Sequence, residues 1–361
     1  MNHPTVSVVM AVRNADRFLA ESIQSVLDQS FEDFEFIIVD YGSEDSSKTI
    51  VRAYLAKDSR IKFHEIPVCV LPEARNAGCF RARGRYIAVM DADDVCMRDR
   101  LSQEVEYMES HPQVALLGGA VEWMDSTGRT FYIHRYPACN SEIQKGLLTQ
   151  SVFWHPTTII RTEAFVSIGG YRPVMVAAHD YDLAVRLAER YMCANLDDVV
   201  LRYRVHQFQM TSGKQDMQTL CMLASKVSAA ARRKGQADPL DAITKITPAF
   251  LVSLGIGEKE QRNSAAIDRY SWIGVMIMAG EYASALSAAQ QIWKSGQKVV
   301  TARQISELYL QVAKIHWKAN LVWKCVIEIW QAVQVRPILI GRPLKSLLHR
   351  VKLAQARSCI F

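Results

Sequence analysis

The first informative stretch of the chain is Val6-Ser7-Val8-Val9-Met10-Ala11-Val12, a nearly continuous apolar run of strand length. Such a run is the mark of a strand buried on both faces of a parallel sheet. The period then changes. Phe18, Leu19, Ile23, Val26 and Leu27 recur at steps of three and four, which predicts a helix with one buried face. Phe34 to Val39 predicts a second strand, closed by the turn-forming cluster Asp40-Tyr41-Gly42-Ser43, and a helix follows from about Ser46 to Leu55. A strand over 61–66, a helix over 73–82 and a strand over 86–90 repeat the alternation, and the last of these runs into Asp91-Ala92-Asp93-Asp94. Alternating strands and helices predict a wound α/β sheet, whose ligands gather at the carboxyl ends of its strands. Both acidic turns lie at such ends.

Farther on, the pattern predicts a helix over 101–108, strands over 114–123 and 130–136, an amphipathic helix over 180–191 and a closing strand over 199–205. Beyond about Gln215 strand signals vanish, and helical periods rich in Ala, Leu, Lys and Gln take over. The expected organisation is therefore an α/β domain over 1–215 and a helical region over 216–361. Within that region Ala279-Gly280-Glu281-Tyr282 with Ala285-Leu286 has the look of a helical hairpin, with a weaker echo near 319–330; two poor copies do not establish a repeat. Trp272, Trp293, Trp317, Trp323 and Trp330 are the expected core of a helical bundle.

Composition narrows the choices. With 361 residues, 49% of them hydrophobic and 22% charged, the chain can bury a sizeable core. No apolar run reaches the roughly 18 to 20 residues of a membrane span, and residues 1–10 lack a signal-peptide pattern, so the expected location is the cytoplasm. The eight cysteines include no Cys-x-x-Cys pair, which argues against a zinc site or a disulfide framework. The formal charge of +6 is unevenly placed: beyond Glu328 stand Arg336, Arg342, Lys345, Arg350, Lys352 and Arg357, and no acid. No nucleic-acid-binding motif accompanies these cations, so nucleic acid is not expected as a partner. A basic amphipathic segment over 338–361, in peripheral contact with an anionic inner membrane face, is the sharper expectation; a solvated basic face is the plainer one.

Chemistry concentrates at Asp91-Ala92-Asp93-Asp94. Three carboxylates at one strand end repel one another, an arrangement suited to a cation that neutralises them. The plainer alternative is that Asp94 or Asp99 caps the helix beginning near Arg100.

This turn joins an ordered set. Val6-Ser7-Val8-Val9-Met10, Val39-Asp40-Tyr41-Gly42-Ser43-Glu44-Asp45, Ala74-Arg75-Asn76-Ala77-Gly78, the acidic turn with Arg98-Asp99-Arg100-Leu101, and Asp180-Tyr181-Asp182-Leu183 follow one another as in family 2 glycosyltransferases. The chain resembles that family from residue 4 to about 210. The resemblance implies a GT-A fold, an α/β mixed sheet flanked by helices, followed here by an all-helical C-terminal region. It also implies a nucleotide-sugar donor and inversion at the anomeric carbon. Val12, Arg13, Asn14, Asp40, Tyr41, Gly42, Ser43, Arg75, Asp91 and Ala92 would hold the nucleotide. Asp91-Ala92-Asp93 would be the DxD motif, with Asp93 and the late histidine, His206, holding Mn²⁺ or Mg²⁺ against the diphosphate. Asp180, at a helix start after Gly169-Gly170, is the expected general base, and His155 and His179 would lie on the acceptor side.

Three positions depart from the family pattern. Tyr41 stands where a second aspartate is common, Ala11-Val12-Arg13 where Pro-Thr-Tyr is usual, and His179 where glutamate is common. UDP is the favoured carrier, with TDP and GDP open. The expected activity is metal-dependent, inverting transfer to a glycan or lipid-linked acceptor in cell-surface polysaccharide synthesis. Tyr41 and His179 also motivate a second reading, a nucleotide-sugar-binding or scaffold protein that has lost catalysis. A sugar-phosphate nucleotidyltransferase is disfavoured, because it wants a glycine-rich basic loop where Ala11-Val12-Arg13-Asn14 stands.

Overall fold

The computed structural model describes residues 3–206, 215–294, 302–318 and 321–335. The first half follows the expected alternation: β1 (Val6–Val12), α1 (Asp16–Leu27), β2 (Phe34–Asp40), α2 (Ser47–Leu55), β3 (Ile61–Glu65), α3 (Leu71–Cys79) and β4 (Tyr86–Met90). Strands β1, β2 and β4 are buried along nearly their whole length, as continuous apolar runs covered on both faces must be. All three pair in parallel through β1, with Val12 opposite Asp40 and Met10 opposite Met90. That register sets the loop after β1, the turn after β2 and the acidic turn after β4 side by side at one rim.

The second half is mixed. It comprises β5 (Val95–Cys96), α4 (Arg100–Ser110), β6 (Val114–Met124), β7 (Thr130–His134), α5 (Asn140–Gly146), a 3-10 turn (His155–Thr157), β8 (Ile159–Arg161), α6 (Thr162–Ser167), α7 (His179–Ala188) and β9 (Met192–Arg204). The sheet runs β3-β2-β1-β4-β8-β6-β9-β5, with β7 added on β6. Strand β8 is antiparallel to both β4 and β6, whereas β6 and β9 are parallel. Strand β9 starts at Met192, earlier than its sequence pattern suggests, and its pairing with β6 shifts register around Gly119 to Val121. Such irregularities break the alternation by which a strand is recognised. Elements β5, α5, β8 and α6 are two to seven residues long, too short to show a period.

By contacts the chain divides after Gln261. Residue 215 marks the loss of strands rather than the edge of this unit: α8 (Gln215–Arg233) and α9 (Pro248–Ser253) carry Cys221, Leu223, Ala224, Ala229 and Leu251 into the same apolar core as Leu116, Phe165 and Leu187. The division falls within α10 (Glu258–Met278). In the second unit Gly280, at φ +79°, lets the backbone turn between α10 and α11 (Tyr282–Lys294), at the hairpin suspected from sequence. Helices α12 (Ala302–Lys318) and α13 (Val322–Val335) pack against each other, and Ile273, Leu286, Ile292, Ile305, Leu308 and Ala332 contribute to the core. The tryptophans depart from expectation. Among the described residues Trp272 packs against this core and Trp317 is half-buried, whereas Trp293, Trp323 and Trp330 are exposed. Small residues, Ala285, Ala289, Ala313 and Ala332, lie at the buried positions instead.

Among the described residues no helix is long and apolar enough to cross a membrane. Seven cysteines in that set are free thiols. The basic segment 338–361 lies outside the described residues.

Candidate active site

The first loops are tied by local polar contacts. Asp40 ends β2, and its Oδ1 accepts from the backbone N–H groups of Gly42 (3.1 Å) and Ser43 (3.0 Å). Its Oδ2 is buried without a protein partner, so a donor on a ligand could pair with it. Asn14, in the left-handed region at φ 52°, donates its N–H to Ser43 Oγ and accepts from Glu44 N–H through Oδ1. These bonds lock the loop Val12-Arg13-Asn14 to the turn Asp40-Tyr41-Gly42-Ser43. Tyr41 is buried, its phenol pushed up by that burial, and the Arg13 guanidinium lies 5.8 Å from its ring centre.

The three acids after β4 do not converge. Asp91 pairs with Arg75 at 2.5 Å, Asp93 Oδ2 meets His206 Nε2 at 2.9 Å, and Asp94 turns inward. Asp94 accepts from the Arg204 N–H at 2.9 Å, and burial together with Asp93 and Asp91 raises its pKa well above the usual carboxylate range. It therefore serves β9 rather than a cation shared by all three. Of the two caps considered from sequence, Asp99 occupies the N-cap position of α4, although its side chain makes no capping hydrogen bond, and Asp94 does not. Ala92 sits between Asp91 and Asp93, half-buried.

Arg75 is the hub. Buried on α3, it reaches Asp91 with one nitrogen and His179 Nε2 with another. A guanidinium only donates, so His179 accepts through Nε2 and, when neutral, carries its proton on Nδ1. Burial and the adjacent Arg75 hold His179 well below its ordinary pKa, hence uncharged. The imidazole thus offers Arg75 one acceptor without the negative charge that glutamate would bring. Asp180 follows at the start of α7, half-buried, and its carboxyl is raised chiefly by desolvation. It lines a small cavity with His155, Ser151, Phe153 and Leu183. His155 Nε2 lies 2.8 Å from Tyr171 Oη, and the rings of His155, Tyr171 and His179 stand 5.6–5.7 Å apart. Burial and Arg75 also keep His155 neutral.

Two positioning residues escaped the sequence reading. Asn76 accepts from the Tyr171 N–H and donates to the Tyr171 carbonyl, pinning that ring beside the histidines. Arg204 donates to the Asp93 carbonyl and to Glu21, and its guanidinium lies 4.4 Å from the Phe18 ring centre, while Phe18 also packs on His206. Its place at the end of β9, two residues before His206, was the available signal.

Among the described residues no group of three or more histidine, cysteine or acidic side chains converges as a metal cage. Asp93 and His206 are a pair. Two neighbouring ligands of an octahedral ion, each about 2.1 Å from it, stand about 3 Å apart, and the 2.9 Å hydrogen bond between Asp93 Oδ2 and His206 Nε2 already holds the two atoms at about that separation. Carboxylate oxygen and imidazole nitrogen suit Mn²⁺, and Mg²⁺ less well, provided that a ligand's phosphate oxygens and water complete the shell. The pair fits such an ion.

Comparison with known proteins bears on this arrangement. The family model of glycosyl transferase family 2 matches residues 7–169. An uncharacterised glycosyltransferase of Methanocaldococcus jannaschii is 32% identical over 212 residues, 57% of this chain and 72% of the relative. The chain belongs to glycosyl transferase family 2. The O-antigen biosynthesis glycosyltransferase WbnJ of Escherichia coli is 30% identical over 206 residues, 56% of this chain and 80% of that protein. Among solved structures, S. aureus TarS in complex with UDP-GlcNAc superposes with a TM-score of 0.52 at 16% identity, covering 91% of this chain and 92% of the other. At that identity the likeness speaks for the fold alone. This glycosyltransferase thus has the GT-A fold, a mixed sheet with flanking helices, followed by a helical C-terminal region.

Proposed function

We propose that this glycosyltransferase moves a sugar from a nucleoside diphosphate-sugar, with UDP the favoured carrier, to a hydroxyl of a glycan or lipid-linked acceptor, inverting the anomeric centre. The observation that carries the reading is the double contact of Arg75. One guanidinium fixes Asp91 on the acidic turn and His179 beside Asp180, so the turn that would hold the donor and the group that would receive a proton share one rigid anchor.

In this reading the loops at Val12-Arg13-Asn14 and Asp40-Tyr41-Gly42-Ser43 hold the nucleotide, with the unpaired Asp40 Oδ2 taking a base N–H and Arg75, Asp91 and Ala92 bordering the ribose and phosphates. Asp180 takes the proton of the acceptor hydroxyl as its oxygen attacks opposite the departing diphosphate, so one carboxylate suffices and no covalent intermediate is needed. Desolvation raises the proton affinity of Asp180, which suits a base. His155 and His179, both neutral, border the acceptor side. A divalent ion held by Asp93 and His206 would stabilise the charge that develops on the diphosphate.

Two relatives are named for O-antigen biosynthesis and amylovoran biosynthesis, which supports a role in surface polysaccharide assembly. We place the reaction in the cytoplasm, with the catalytic groups carried by residues 1–215 of the first unit. The test is incubation with UDP-, TDP- and GDP-sugars and a panel of glycan and lipid-linked acceptors, with and without Mn²⁺. Proton NMR then reads the anomeric configuration of the product. Transfer with inversion and a demand for metal supports the reading, and a retained configuration would sink it. Nucleotide binding without metal dependence and without transfer would point to the scaffold reading instead.

A further inference from the structure

We propose that the outward face of α13 is a docking surface for an anionic lipid bilayer. The face is made by Trp323, Val326, Ile327 and Trp330, which are 82%, 46%, 55% and 59% exposed. Their spacing of three, four and seven residues puts them on one stripe of the helix. The opposite stripe is occupied as well: Cys325 and Ala332 are buried where α13 packs on α12. A helix apolar on both sides is ordinarily covered on both. Scattered exposed apolar residues need no explanation, but a contiguous stripe with two tryptophans does.

Charge identifies the cover. Lys318, closing α12, and Lys324, beside Trp323, are exposed cations bordering the stripe in sequence. The 33 residues after Glu328, from Ile329 to Phe361, hold six arginines and lysines and no acid. An anionic headgroup layer attracts them, at about fivefold in affinity for each cation near the surface. Indole rings with cations close by in sequence are the chemistry of the bilayer interface, where the apolar body is buried and the N–H stays wet. The 14 residues of α13 span about 21 Å, short of a hydrocarbon core of about 30 Å, so this helix lies on the surface rather than across it.

The test uses the full chain and vesicles of phosphatidylcholine with or without phosphatidylglycerol, in co-sedimentation at low and high salt. No nucleotide sugar is present, so the outcome is independent of whether the proposed transfer reaction holds. The wild type should sediment only with phosphatidylglycerol vesicles and be released by salt. The double variant Trp323→Ser with Trp330→Ser should lose at least about tenfold in partitioning, and Leu148→Ser, an exposed leucine elsewhere, should lose none. Should the double variant fold poorly, brominated lipid added to the wild type gives a second reading, with quenching of tryptophan fluorescence expected. Sedimentation of the double variant equal to wild type, absence of binding and quenching, or a wild-type dimer that the double substitution dissociates would each overturn the proposal.

Discussion

The parallel half of the sheet, β1 to β4, and the mixed half, β6 to β9, bring polar groups to the same site by different means. In the parallel half the reach is short. Asp40 is held by backbone two and three residues on, and Asn14 and Ser43 lock two loops that the register of β1 and β2 already sets side by side. In the mixed half the reach is long: His179 is held by Arg75, 104 residues earlier, and His206 by Asp93, 113 residues earlier. Damage in the first half should therefore stay local, whereas damage in the second should spread to a partner on the other side.

Replacement of the base candidate tests the mixed half most severely. Asp180→Asn keeps shape and removes the proton acceptor, so kcat should fall about 10²–10⁴-fold, with donor affinity measured by calorimetry unchanged. Burial raises the Asp180 carboxyl, and only the carboxylate can act as base. The rate is therefore lost as pH falls through that raised value, higher than the ordinary aspartate value of about 3.9. An acid limb at or below the ordinary value, or near-normal turnover of the variant, would remove Asp180 from its role.

Asp93→Ala comes next, because it opens the contact that joins the halves at the proposed metal site. A loss of about 10²–10³-fold in kcat is expected, the scale of removing one electrostatic stabiliser of developing charge, together with a higher demand for Mn²⁺. His206→Ala should weaken Mn²⁺ more than Mg²⁺, since imidazole favours the softer ion. Chelation with EDTA should stop the wild type. Equal activity of Asp93→Ala with and without Mn²⁺ would detach this pair from any metal.

The same contrast explains what could be read in advance. Strands β1, β2 and β4 announce themselves as apolar runs because both faces are covered, and Asp40, Asp91 and Asp93 stand directly at their ends. The resemblance to the family rests on these local motifs. The splitting of the acids was invisible, because whether Asp94 faces a ligand or the Arg204 backbone depends on a strand 110 residues away. Asn76 and Arg204 look like ordinary polar residues until their partners are in place, and the contact of Arg75 with His179 waits on α7. The tryptophans of the second unit misled for a related reason: hydrophobicity predicts that a side chain avoids water, without saying what covers it.

Arg75→Met probes the link between the halves through stability. It leaves Asp91 and the buried His179 without their donor, and the loss should be roughly 2–4 kcal/mol, below that of a fully enclosed pair because Asp91 keeps some contact with solvent. Urea denaturation measures it. Arg75→Lys should recover only part, since one ammonium cannot span both partners. Full recovery by lysine would mean that charge alone, without the two-pronged geometry, anchors the site.

The smallest effect belongs to the parallel half and checks that its devices are local. Gly42 sits at φ +95°, and an added Cβ would press on Val68. Val68 is exposed and can turn aside, so the backbone conformation sets the cost of Gly42→Ala, about 1–2 kcal/mol for an L residue in the left-handed region. Adding Val68→Ala should therefore restore little. Because the turn at Gly42 is held by Asp40 rather than by the mixed half, Gly42→Ala and Asp180→Asn should act additively on kcat/KM, as unconnected sites do. A coupling above about 0.5 kcal/mol between them would show that the nucleotide turn and the start of α7 move together, and the distinction between short and long reach would fail at its weakest joint.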